Sequence, residues 1–530
     1  MERQSPSIFN DILGPIMVGP SSSHTCAPSR IGYLCRQLVG GRLKKAIIEF
    51  AREGAYTEMY QGQRSDMGFI NGLLGNRPED PGMKHAFDLA QKAGVEIQFK
   101  ISDFIPVKPN LSIITLYDDQ GEIVTVNTDS TGGGTVKLME IDGYGVEIVG
   151  DCYELLVFGN VVSSEAKALL EKCQALFKES EGCSMSQNGW GCLINIKCRS
   201  NYRGADLETI AGWPEVQKLR VITPILTVTS NRKGHLPFRD ATGLLEVADR
   251  EGKALWELAV DYEKARSGFS EEEIMAHTSE IIEIMEKGVQ EALKGDIDMK
   301  GILMPTAGKI NRFMKSDARA LDMGLLNVMV PWAMATMEYS SAMGVVICGP
   351  TGGSAGVFPG AVLGAAVSLG LSEKEKIKLM LTTAIIGIAM SKECHYSAEL
   401  YGCQVEPGAA SAMAAGALVY LMGGTPKQSL QAASCAIQNI LGTICDPVAG
   451  MVQLPCISRN SLSVANTLVS ANMVMGGYDP MIPLDEAAET MFRVGTQLPK
   501  ELRCTCRGGL CITPSGQRLA AEQKIRDQNR

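Results

Sequence analysis

The sequence lacks an excess of positive charge. Its 50 lysines and arginines are outnumbered by 59 aspartates and glutamates, which gives a formal net charge of −9 at pH 7. A protein whose main partner is a nucleic acid or an anionic membrane surface normally carries a basic patch or a basic net charge. We therefore expect neither nucleic acid nor a membrane as a partner.

The sequence also lacks a long uninterrupted apolar segment. Residues 339–372 carry no charge, but Pro350, Pro359 and several glycines interrupt this stretch. A membrane-spanning helix needs about 20 continuous apolar residues, so we predict a buried helix end, a loop and a second helix here. No signal peptide is recognisable, and with sixteen cysteines this predicts a reducing, cytoplasmic location.

A chain of 530 residues is too long for one hydrophobic core, and roughly two to four domains are expected. Alternating apolar residues between residues 45 and 135, with a helix at 82–93, predict an α/β domain over residues 1–148. Residues 149–228 show the order β-α-β-β-α-β, which predicts a ferredoxin-like unit. From about Leu244 the pattern is helical, so we predict an all-α domain over residues 240–530.

Three cysteines in the last quarter of the chain lie in turn-like surroundings. They are Cys403 in G-C-Q-V-E-P-G, Cys445 in I-C-D-P-V-A-G and Cys456 in L-P-C-I-S-R-N. Nearby glycine and proline favour turns or helix ends, where a thiolate can face a metal. Three thiolates can hold three irons of a [4Fe–4S] cluster and leave the fourth iron open. The spacing alone favours three buried structural thiols instead, since free cysteine is among the most buried residue types.

Three further motifs combine turns with hydroxyl groups. In G-P-S-S-S-H-T at residues 19–25, hydroxyls and backbone N–H groups at a helix start can hold a carboxylate, although an ordinary helix N-cap explains the same residues. S-T-G-G-G at residues 130–134 predicts a tight turn before a strand. P-T-G-G-S-A-G at residues 350–356 predicts a loop.

In order and spacing, these motifs resemble the iron–sulfur L-serine dehydratases, or L-serine ammonia-lyases. The cysteine motifs, with M-G-G-T-P-K-Q-S-L after the first and G-G-L-C-I-T-P-S-G near residue 510, resemble the α part of that family. G-P-S-S-S-H-T and S-T-G-G-G resemble its β part. The resemblance implies β and α parts fused in one chain, with a middle unit similar to the ACT domain of some members. The Gly-rich ligand loop of that domain is absent, since F-G-N-V-V-S-S stands after its first strand.

The resemblance implies a [4Fe–4S] cofactor on Cys403, Cys445 and Cys456. The implied reaction is α,β-elimination of L-serine, a small-molecule substrate, to aminoacrylate and then to pyruvate and ammonia, without pyridoxal phosphate. The open iron would be a Lewis acid for the hydroxyl group, and a base would remove the Cα proton. The implied setting is amino-acid degradation and gluconeogenesis, and a homodimer is one assembly that fits.

We assign catalytic roles to His24, His395 and Lys108. Substrate-binding roles are assigned to residues of the turns and to one strand start, namely Ser21, Ser22, Ser23, Thr25, Asn110, Ser130, Gly132, Gly133, Thr351 and Ser354.

The sequence departs from the family pattern at residues that bear on chemistry. Gln63 and Lys108 stand where the family usually has histidines, and M-P-T-A-G-K at residues 304–309 replaces a Gly-Gly-Asp stretch. His395 and Tyr396 stand where small residues are usual. We therefore expect a conserved cluster chemistry with a changed substrate pocket, in which Lys108 suits a substrate with an extra anionic group.

Two other functions remain open from the sequence. The same elimination can act on another β-substituted amino or hydroxy acid, with L-cysteine as the nearest case. A cluster-bearing sensor that has lost catalysis together with its histidines is the non-enzymatic alternative. Release of sulfide, release of pyruvate and ammonia, or cluster binding without turnover distinguishes the three.

Overall fold

The structure is a computed structural model that describes residues 5–231, 234–391 and 396–528. A mixed α/β region occupies the N-terminal part of the chain, and a helical region begins at residue 241. A second, smaller sheet lies between them in sequence. Within the described residues, no helix is both long enough and apolar enough to cross a membrane.

The N-terminal region contains seven strands and four short helices. The strands are β1 (Ile16–Val18), β2 (Leu43–Ala51), β3 (Glu96–Ser102), β4 (Leu111–Asp118), β5 (Ile123–Gly132), β6 (Thr135–Ile141) and β7 (Tyr144–Ile148). The helices are α1 (Ala27–Arg36), α2 (Tyr56–Met59), α3 (Ser65–Leu73) and α4 (Ala86–Ala93).

Six of these strands form one sheet in the order β3-β2-β4-β5-β6-β7. The β2–β3 pair is parallel, and the other neighbours are antiparallel. Alternate residues of β4, including Ile114 and Leu116, are buried, as expected for a sheet with one face on a core. Helices α1 and α3 can pack closely because Gly72 has no side chain. A Cβ at this position would lie 2.0 Å from the carbonyl oxygen of Ser29. This packing fixes the loop that precedes α1.

The middle unit has the predicted element order. Its elements are β8 (Tyr153–Gly159), α5 (Ser163–Leu176), β9 (Gly182–Asn188), β10 (Gly191–Cys198), α6 (Gly204–Ala211) and β11 (Val216–Ile222). The strands form an antiparallel sheet in the order β11-β8-β10-β9. Leu155 and Val157 face a core with the two helices, whereas Leu156 and Phe158 join the core of the N-terminal region. The middle sheet is therefore packed on both faces.

The helical region contains thirteen described helices and one short strand. They are α7 (Ala241–Glu251), α8 (Leu255–Ser267), α9 (Glu271–Lys294), α10 (Ala307–Ser316), α11 (Leu326–Ser341), β12 (Val345–Ile347), α12 (Gly364–Ser368), α13 (Glu373–Met390), α14 (Ala398–Tyr401), α15 (Pro407–Leu421), α16 (Pro426–Gln438), α17 (Cys456–Met475), α18 (Leu484–Gln497) and α19 (Pro514–Gln528).

Helix α15 lies at the centre of this region. All of its residues from Pro407 to Val419 are buried, and most are alanine or glycine. Small residues allow neighbouring helices to approach closely: a Cβ on Gly416 would lie 2.4 Å from Ile386 of α13 and 2.7 Å from the carbonyl oxygen of Ser429 in α16. The turn before α15 therefore stands on a rigid support.

The first residues of the chain join the N-terminal and helical regions. Ile8, Phe9, Ile12 and Leu13 are part of the helical core, although the sequence-based division places them in the first domain. Strand β1 then pairs antiparallel with β12, with Met17 opposite Val346. The sequence did not predict this pairing, because each strand has only three residues.

Candidate functional site

The predicted substrate-binding residues and His24 come together where the N-terminal region meets the helical region. The loop before α1, the β5–β6 turn, the loop at residues 350–356 and the segment around α14 contact one another. The three cysteine-bearing segments lie on the helical side, connected to this cluster through Glu406.

The hydroxyl groups of the S-S-S-H-T loop mostly hold the loop itself. Ser21 Oγ accepts a hydrogen bond from His24 N at 3.1 Å, and Thr25 Oγ1 accepts one from Ser21 N at 3.2 Å. Thr25 Oγ1 donates to the carbonyl oxygen of Gln63 at 2.7 Å. Ser22 Oγ accepts from Gly352 N at 3.1 Å, which ties this loop to the loop at residues 350–356.

Ser23 and His24 contact a buried glutamate of α14. Ser23 Oγ donates to Glu399 Oε1 at 2.7 Å, and His24 Nδ1 lies 3.4 Å from the same oxygen. Ser397 Oγ donates to Glu399 Oε2 at 2.7 Å. The His24 side chain is fully buried, and that of Glu399 is 4% exposed. The carboxylate therefore links the N-terminal loop to the helical region.

Burial and mutual attraction set the charges of this pair. Burial lowers the pKa of His24, and the nearby Glu399 carboxylate only partly opposes this effect. Burial alone would raise the pKa of Glu399, but His24 and the hydrogen bonds from Ser23 and Ser397 keep it below its ordinary value. At neutral pH the pair is a neutral imidazole beside an ionised carboxylate.

Tyr56 and Asp129 are two further titratable groups beside His24. The Tyr56 ring stands edge-on to the His24 ring at 5.2 Å, and its hydroxyl donates to the carbonyl oxygen of Ser23 at 3.4 Å. Burial raises the pKa of Tyr56 well above its ordinary value. Burial also raises the pKa of Asp129 to about 6, although Lys108 opposes this.

The S-T-G-G-G turn is shaped by its neighbours. Ser130 Oγ donates to the carbonyl oxygen of Ser23 at 2.9 Å, and Asn110 Nδ2 donates to the carbonyl oxygen of Ser130 at 3.3 Å. Gly132 has a φ of +106°, and a Cβ there would lie 2.6 Å from Ser397 Cβ. Gly133 also has a positive φ and faces the carbonyl oxygen of Pro350. Only glycine allows this close contact with the helical region.

The loop at residues 350–356 leads to a second glutamate. Thr351 Oγ1 donates to Glu406 Oε1 at 2.8 Å, and Thr351 N donates to Ser354 Oγ at 3.2 Å. A Cβ on Gly353 would lie 2.8 Å from the Glu406 carboxylate. Burial raises the pKa of Glu406 to about 7.

The three predicted ligand cysteines come from separate segments. Cys403 lies in a turn before α15, Cys445 in an extended segment that bridges to Arg503, and Cys456 at the first residue of α17. The sulfurs of Cys403 and Cys445 and a carboxylate oxygen of Glu406 all lie within 4.8 Å of one another. Cys403 and Cys445 are buried, and Cys456 is partly buried.

Without a bound metal these thiols hold their protons. The pKa of Cys403 is raised by the hydrogen bond with Cys445 and by burial, and the pKa of Cys456 is raised by burial first. For Cys445, the hydrogen bond with Cys403 lowers the pKa. The hydrogen bond with Cys504 and burial together outweigh this effect, so the pKa of Cys445 lies well above its ordinary value. A metal that binds here must displace these protons.

Arg459 is the cation of the cysteine group. Its Nη1 donates to Cys403 Sγ at 3.7 Å and to the carbonyl oxygen of Ile444 at 2.8 Å. Its Nη2 pairs with the buried Asp446 at 2.8 Å. Asp446 in turn accepts a hydrogen bond from Leu510 N at 2.8 Å. Buried thiols with a nearby cation are a suitable environment for thiolate ligands, since the cation offsets their negative charge.

Lys108 is exposed and is not part of the buried group. It lines a cavity of about 240 Å³ with three more basic residues, Lys500, Arg503 and Arg507, and with two acidic residues, Glu53 and Glu399. The cavity thus joins a mostly cationic wall to the carboxylate that contacts His24. His395, the other predicted catalytic residue, lies outside the described residues.

Sequence reasoning missed three of the residues described above. Glu399 lies four residues before Cys403, Glu406 lies in G-C-Q-V-E-P-G and Arg459 lies in L-P-C-I-S-R-N, but none of them was assigned a role. Their positions within four residues of Cys403 or Cys456 were the available signal. Cys504 also contacts Cys445.

Comparison with known proteins places these motifs in families. The family described as "Serine dehydratase alpha chain" matches residues 250–511. The "Probable L-serine dehydratase, alpha chain" of Bacillus subtilis (strain 168) is 34% identical over 288 residues, which are 54% of this chain and 95% of that relative. The "Probable L-serine dehydratase, beta chain" of the same organism is 38% identical over 154 residues, 29% of this chain and 68% of the relative.

A third relative matches almost end to end. The "L-serine dehydratase" of Streptomyces coelicolor (strain ATCC BAA-471 / A3(2) / M145) is 27% identical over 518 residues, which are 96% of this chain and 98% of that relative. Both the α-like and the β-like parts of the chain therefore have counterparts, in separate chains and in one fused chain.

Proposed function

The chain belongs to the L-serine dehydratase family as a fused β and α polypeptide and is a lyase of the ammonia-lyase type, and we propose that it converts L-serine to pyruvate and ammonia by α,β-elimination. The observation that carries this proposal is the meeting of the β-like S-S-S-H-T loop with the α-like segment before Cys403. The site needs both parts, because His24 lies in the β-like part and Glu399 lies in the α-like part.

We propose a [4Fe–4S] cluster on Cys403, Cys445 and Cys456. The donor set supports this, since thiolate sulfur is the usual ligand of cluster iron, and Arg459 supplies a nearby positive charge. A bound cluster with one iron free of protein ligands would supply a Lewis acid for the departing hydroxyl group. The sulfurs of Cys403 and Cys445 already lie within 4.8 Å of each other.

The residues of the chain would bind the amino acid and move its protons. We propose that the S-S-S-H-T loop, the S-T-G-G-G turn and the loop with Thr351 and Ser354 surround the substrate. The basic residues around Lys108 would attract the substrate carboxylate into the cavity, and the ionised Glu399 would face the substrate ammonium group. His24 would accept the Cα proton, the C–H electron pair would form the Cα–Cβ double bond, and the hydroxyl group would leave as hydroxide with its bonding pair. The proton held by His24 is then released to solvent, so that the elimination yields one water in total. Aminoacrylate then tautomerises, and water releases ammonia and leaves pyruvate.

The remaining assignments are proposals of the same kind. We propose that the middle unit is ferredoxin-like and serves as a spacer, because its strand order is 4-1-3-2 and F-G-N-V-V-S-S replaces a glycine-rich loop. We also propose a cytoplasmic enzyme of amino-acid degradation that feeds gluconeogenesis.

The cluster proposal is tested by anaerobic purification with iron and sulfide quantified, followed by an assay of pyruvate formed from L-serine. Cys403→Ser, Cys445→Ser and Cys456→Ser are each expected to lose iron and activity. Cys435→Ser is the matched control, because Cys435 is a buried thiol on α16. Wild-type iron content and activity in any of the three variants would contradict the proposal.

A second candidate substrate follows from the cationic cavity. The four basic residues of the cavity outnumber its two acidic residues, Glu53 and Glu399, and this excess of positive charge favours a β-substituted amino acid with a further anionic group. A panel of such amino acids, with L-serine and L-cysteine, decides between them by kcat/KM, and sulfide release identifies cysteine. Cluster binding without turnover of any of these compounds would support the sensor function instead.

A further inference from the structure

A buried carboxylate that the family resemblance did not assign lies against the candidate base. Glu399 belongs to the short helix α14, whereas Ser23 and His24 belong to the loop before α1. The two segments are 376 residues apart at the Ser23–Glu399 hydrogen bond. Burying an ionised glutamate costs free energy unless the carboxylate is paired and hydrogen-bonded. The contact with Ser23 and His24 therefore points to a specific function for Glu399.

The hydrogen-bond pattern fixes the position of the imidazole proton. Ser23 has one hydroxyl proton, and it is donated to Glu399 Oε1 at 2.7 Å. His24 Nδ1 lies 3.2 Å from Ser23 Oγ and 3.4 Å from Glu399 Oε1, so it faces lone pairs of both oxygens. An unprotonated Nδ1 would be repelled by both. Nδ1 therefore carries the proton, and Nε2 keeps its lone pair.

The other ring nitrogen is free to react. His24 Nε2 is buried and makes no hydrogen bond to any residue that the structure describes. A buried acceptor without a partner is uncommon in proteins and is a reason to look for a missing ligand. The lone pair of Nε2 is thus the available proton acceptor of this group.

Other candidate bases in the described part of the chain are less suitable. Gln63, which stands at a family histidine position, cannot accept a proton, and its Nε2 contacts Met59 Sδ at 3.2 Å. Lys108 is exposed. Of the four histidines in the described residues, His85, His235 and His277 lie in other parts of the fold. His24 is the imidazole that these residues place at the site.

We propose that Glu399 is the positioning residue of His24: it holds the ring in the Nδ1–H form so that Nε2 takes the Cα proton of the substrate. This inference rests on the proposed elimination. The C–H electron pair becomes part of the Cα–Cβ double bond, the hydroxyl leaves with the C–O pair, and the proton stays on Nε2 until it is released to water. Glu399 stays ionised throughout and stabilises the imidazolium that forms.

The charges of the neighbouring groups agree with this assignment. Burial keeps His24 neutral, while the imidazole and two hydroxyl donors keep Glu399 ionised. The other titratable groups that face the pair are Tyr56, Asp129, Glu406 and Cys504. Burial raises the pKa of Tyr56 well above its ordinary value, so its hydroxyl group keeps its proton at neutral pH.

The test is Glu399→Gln in the full-length protein. A glutamine amide can donate to Nδ1, which moves the imidazole proton to Nε2 and removes the acceptor. With unchanged iron content, kcat for L-serine is expected to fall on the order of 10²- to 10⁴-fold, with KM changed only a few-fold. Glu399→Asp is expected to recover part of the loss. Glu263→Gln is the matched control, because Glu263 is also fully buried, accepts a serine hydroxyl at 2.8 Å and lies outside the site.

A second measurement reports the tautomer directly. In protein labelled with ¹⁵N-histidine, the His24 signal, identified by its loss in His24→Gln, is expected to show Nδ1–H in the wild type and Nε2–H in Glu399→Gln. The proposal is overturned if the wild type shows Nε2–H, or if Glu399→Gln keeps both the wild-type tautomer and kcat. The tautomer is read without substrate, so it still decides the role of Glu399 if L-serine is not turned over.

Discussion

Arg459 connects the three cysteine-bearing segments through one guanidinium group. It lies one helical turn after Cys456, contacts Cys403 Sγ and the carbonyl oxygen of Ile444, and pairs with Asp446. Asp446 is 1% exposed and also receives the backbone N–H of Leu510. A single side chain thus fixes the distances among segments that are far apart in sequence.

Replacing Arg459 by methionine is expected to weaken both the fold and the cofactor site. The substitution leaves Asp446 buried without its cation, which costs about 3 kcal/mol in the free energy of unfolding. Iron per chain is expected to fall, because Cys403 loses its positive neighbour. Chemical denaturation of the iron-free protein and iron quantification measure the two effects.

The control for this substitution is Arg319→Met, since Arg319 is an exposed residue paired with Asp317. Its unfolding free energy is expected to change by no more than about 0.5 kcal/mol, and iron content is expected to stay at the wild-type value. Equal behaviour of the two variants would show that Arg459 does not organise the site.

At the scale of elements, the middle sheet is attached to the N-terminal sheet by apolar and charged contacts. Leu156, Phe158 and Ile222 share a core with β4 and β5. Glu122, at the turn between β4 and β5, pairs with Lys218 at 2.7 Å and with Arg220 at 2.6 Å on β11. The middle unit therefore packs against the N-terminal sheet and supports it.

Glu122→Gln is expected to reduce the free energy of unfolding by about 1 kcal/mol, since it removes one carboxylate shared by two partly buried cations. Turnover of L-serine is expected to remain at the wild-type rate, because none of these residues contacts the site. Denaturation curves and steady-state assays on the same preparation measure both. A parallel loss of turnover would contradict the spacer role of the middle unit.

The sequence predicted the helices and strands better than the contacts between distant segments. Alternation in β4 and the order of strands and helices over residues 149–228 were readable, because each pattern is local and several residues long. The β1–β12 pair was not, since three residues carry no period and their partners are more than three hundred residues apart. Glu399 was unassigned for a related reason: its role exists only where its helix meets Ser23 and His24.

At the scale of the whole molecule, buried carboxyl groups away from the cysteines make stability depend on pH. Burial raises the pKa of Asp66, Glu154 and Glu263 to about 7 each. These residues lie in the N-terminal region, the middle unit and the helical region. Between their ordinary pKa values, 3.8 for Asp66 and 4.5 for the two glutamates, and about 7, the folded protein binds protons that the unfolded chain has released.

Stability of the iron-free protein is therefore expected to decrease as the pH rises from about 5 to 8. A group with a raised pKa stabilises the fold below its unfolded pKa and loses that contribution as the pH passes through its folded value. For Glu263 the full contribution is roughly 3 kcal/mol. Thermal unfolding at a series of pH values measures the slope.

Glu263→Gln serves as the comparison, because it keeps the shape of the side chain without a titratable group. Its slope of Tm against pH is expected to be smaller than that of the wild type. A wild-type Tm that is flat or rises over this range would contradict the assignment of raised pKa values to these groups.

The pairing of β1 with β12 can form only late in translation, because the two strands are synthesised at different times. Val18 emerges long before Val345, its partner. At ordinary translation rates the interval is on the order of half a minute. During that time β1 has no partner strand and is accessible to chaperones and proteases. The loop with Ser23 and His24 also lacks its contact with Glu399, which has not yet been synthesised. The proposed cluster can therefore bind only after most of the chain, up to Cys456, has been synthesised.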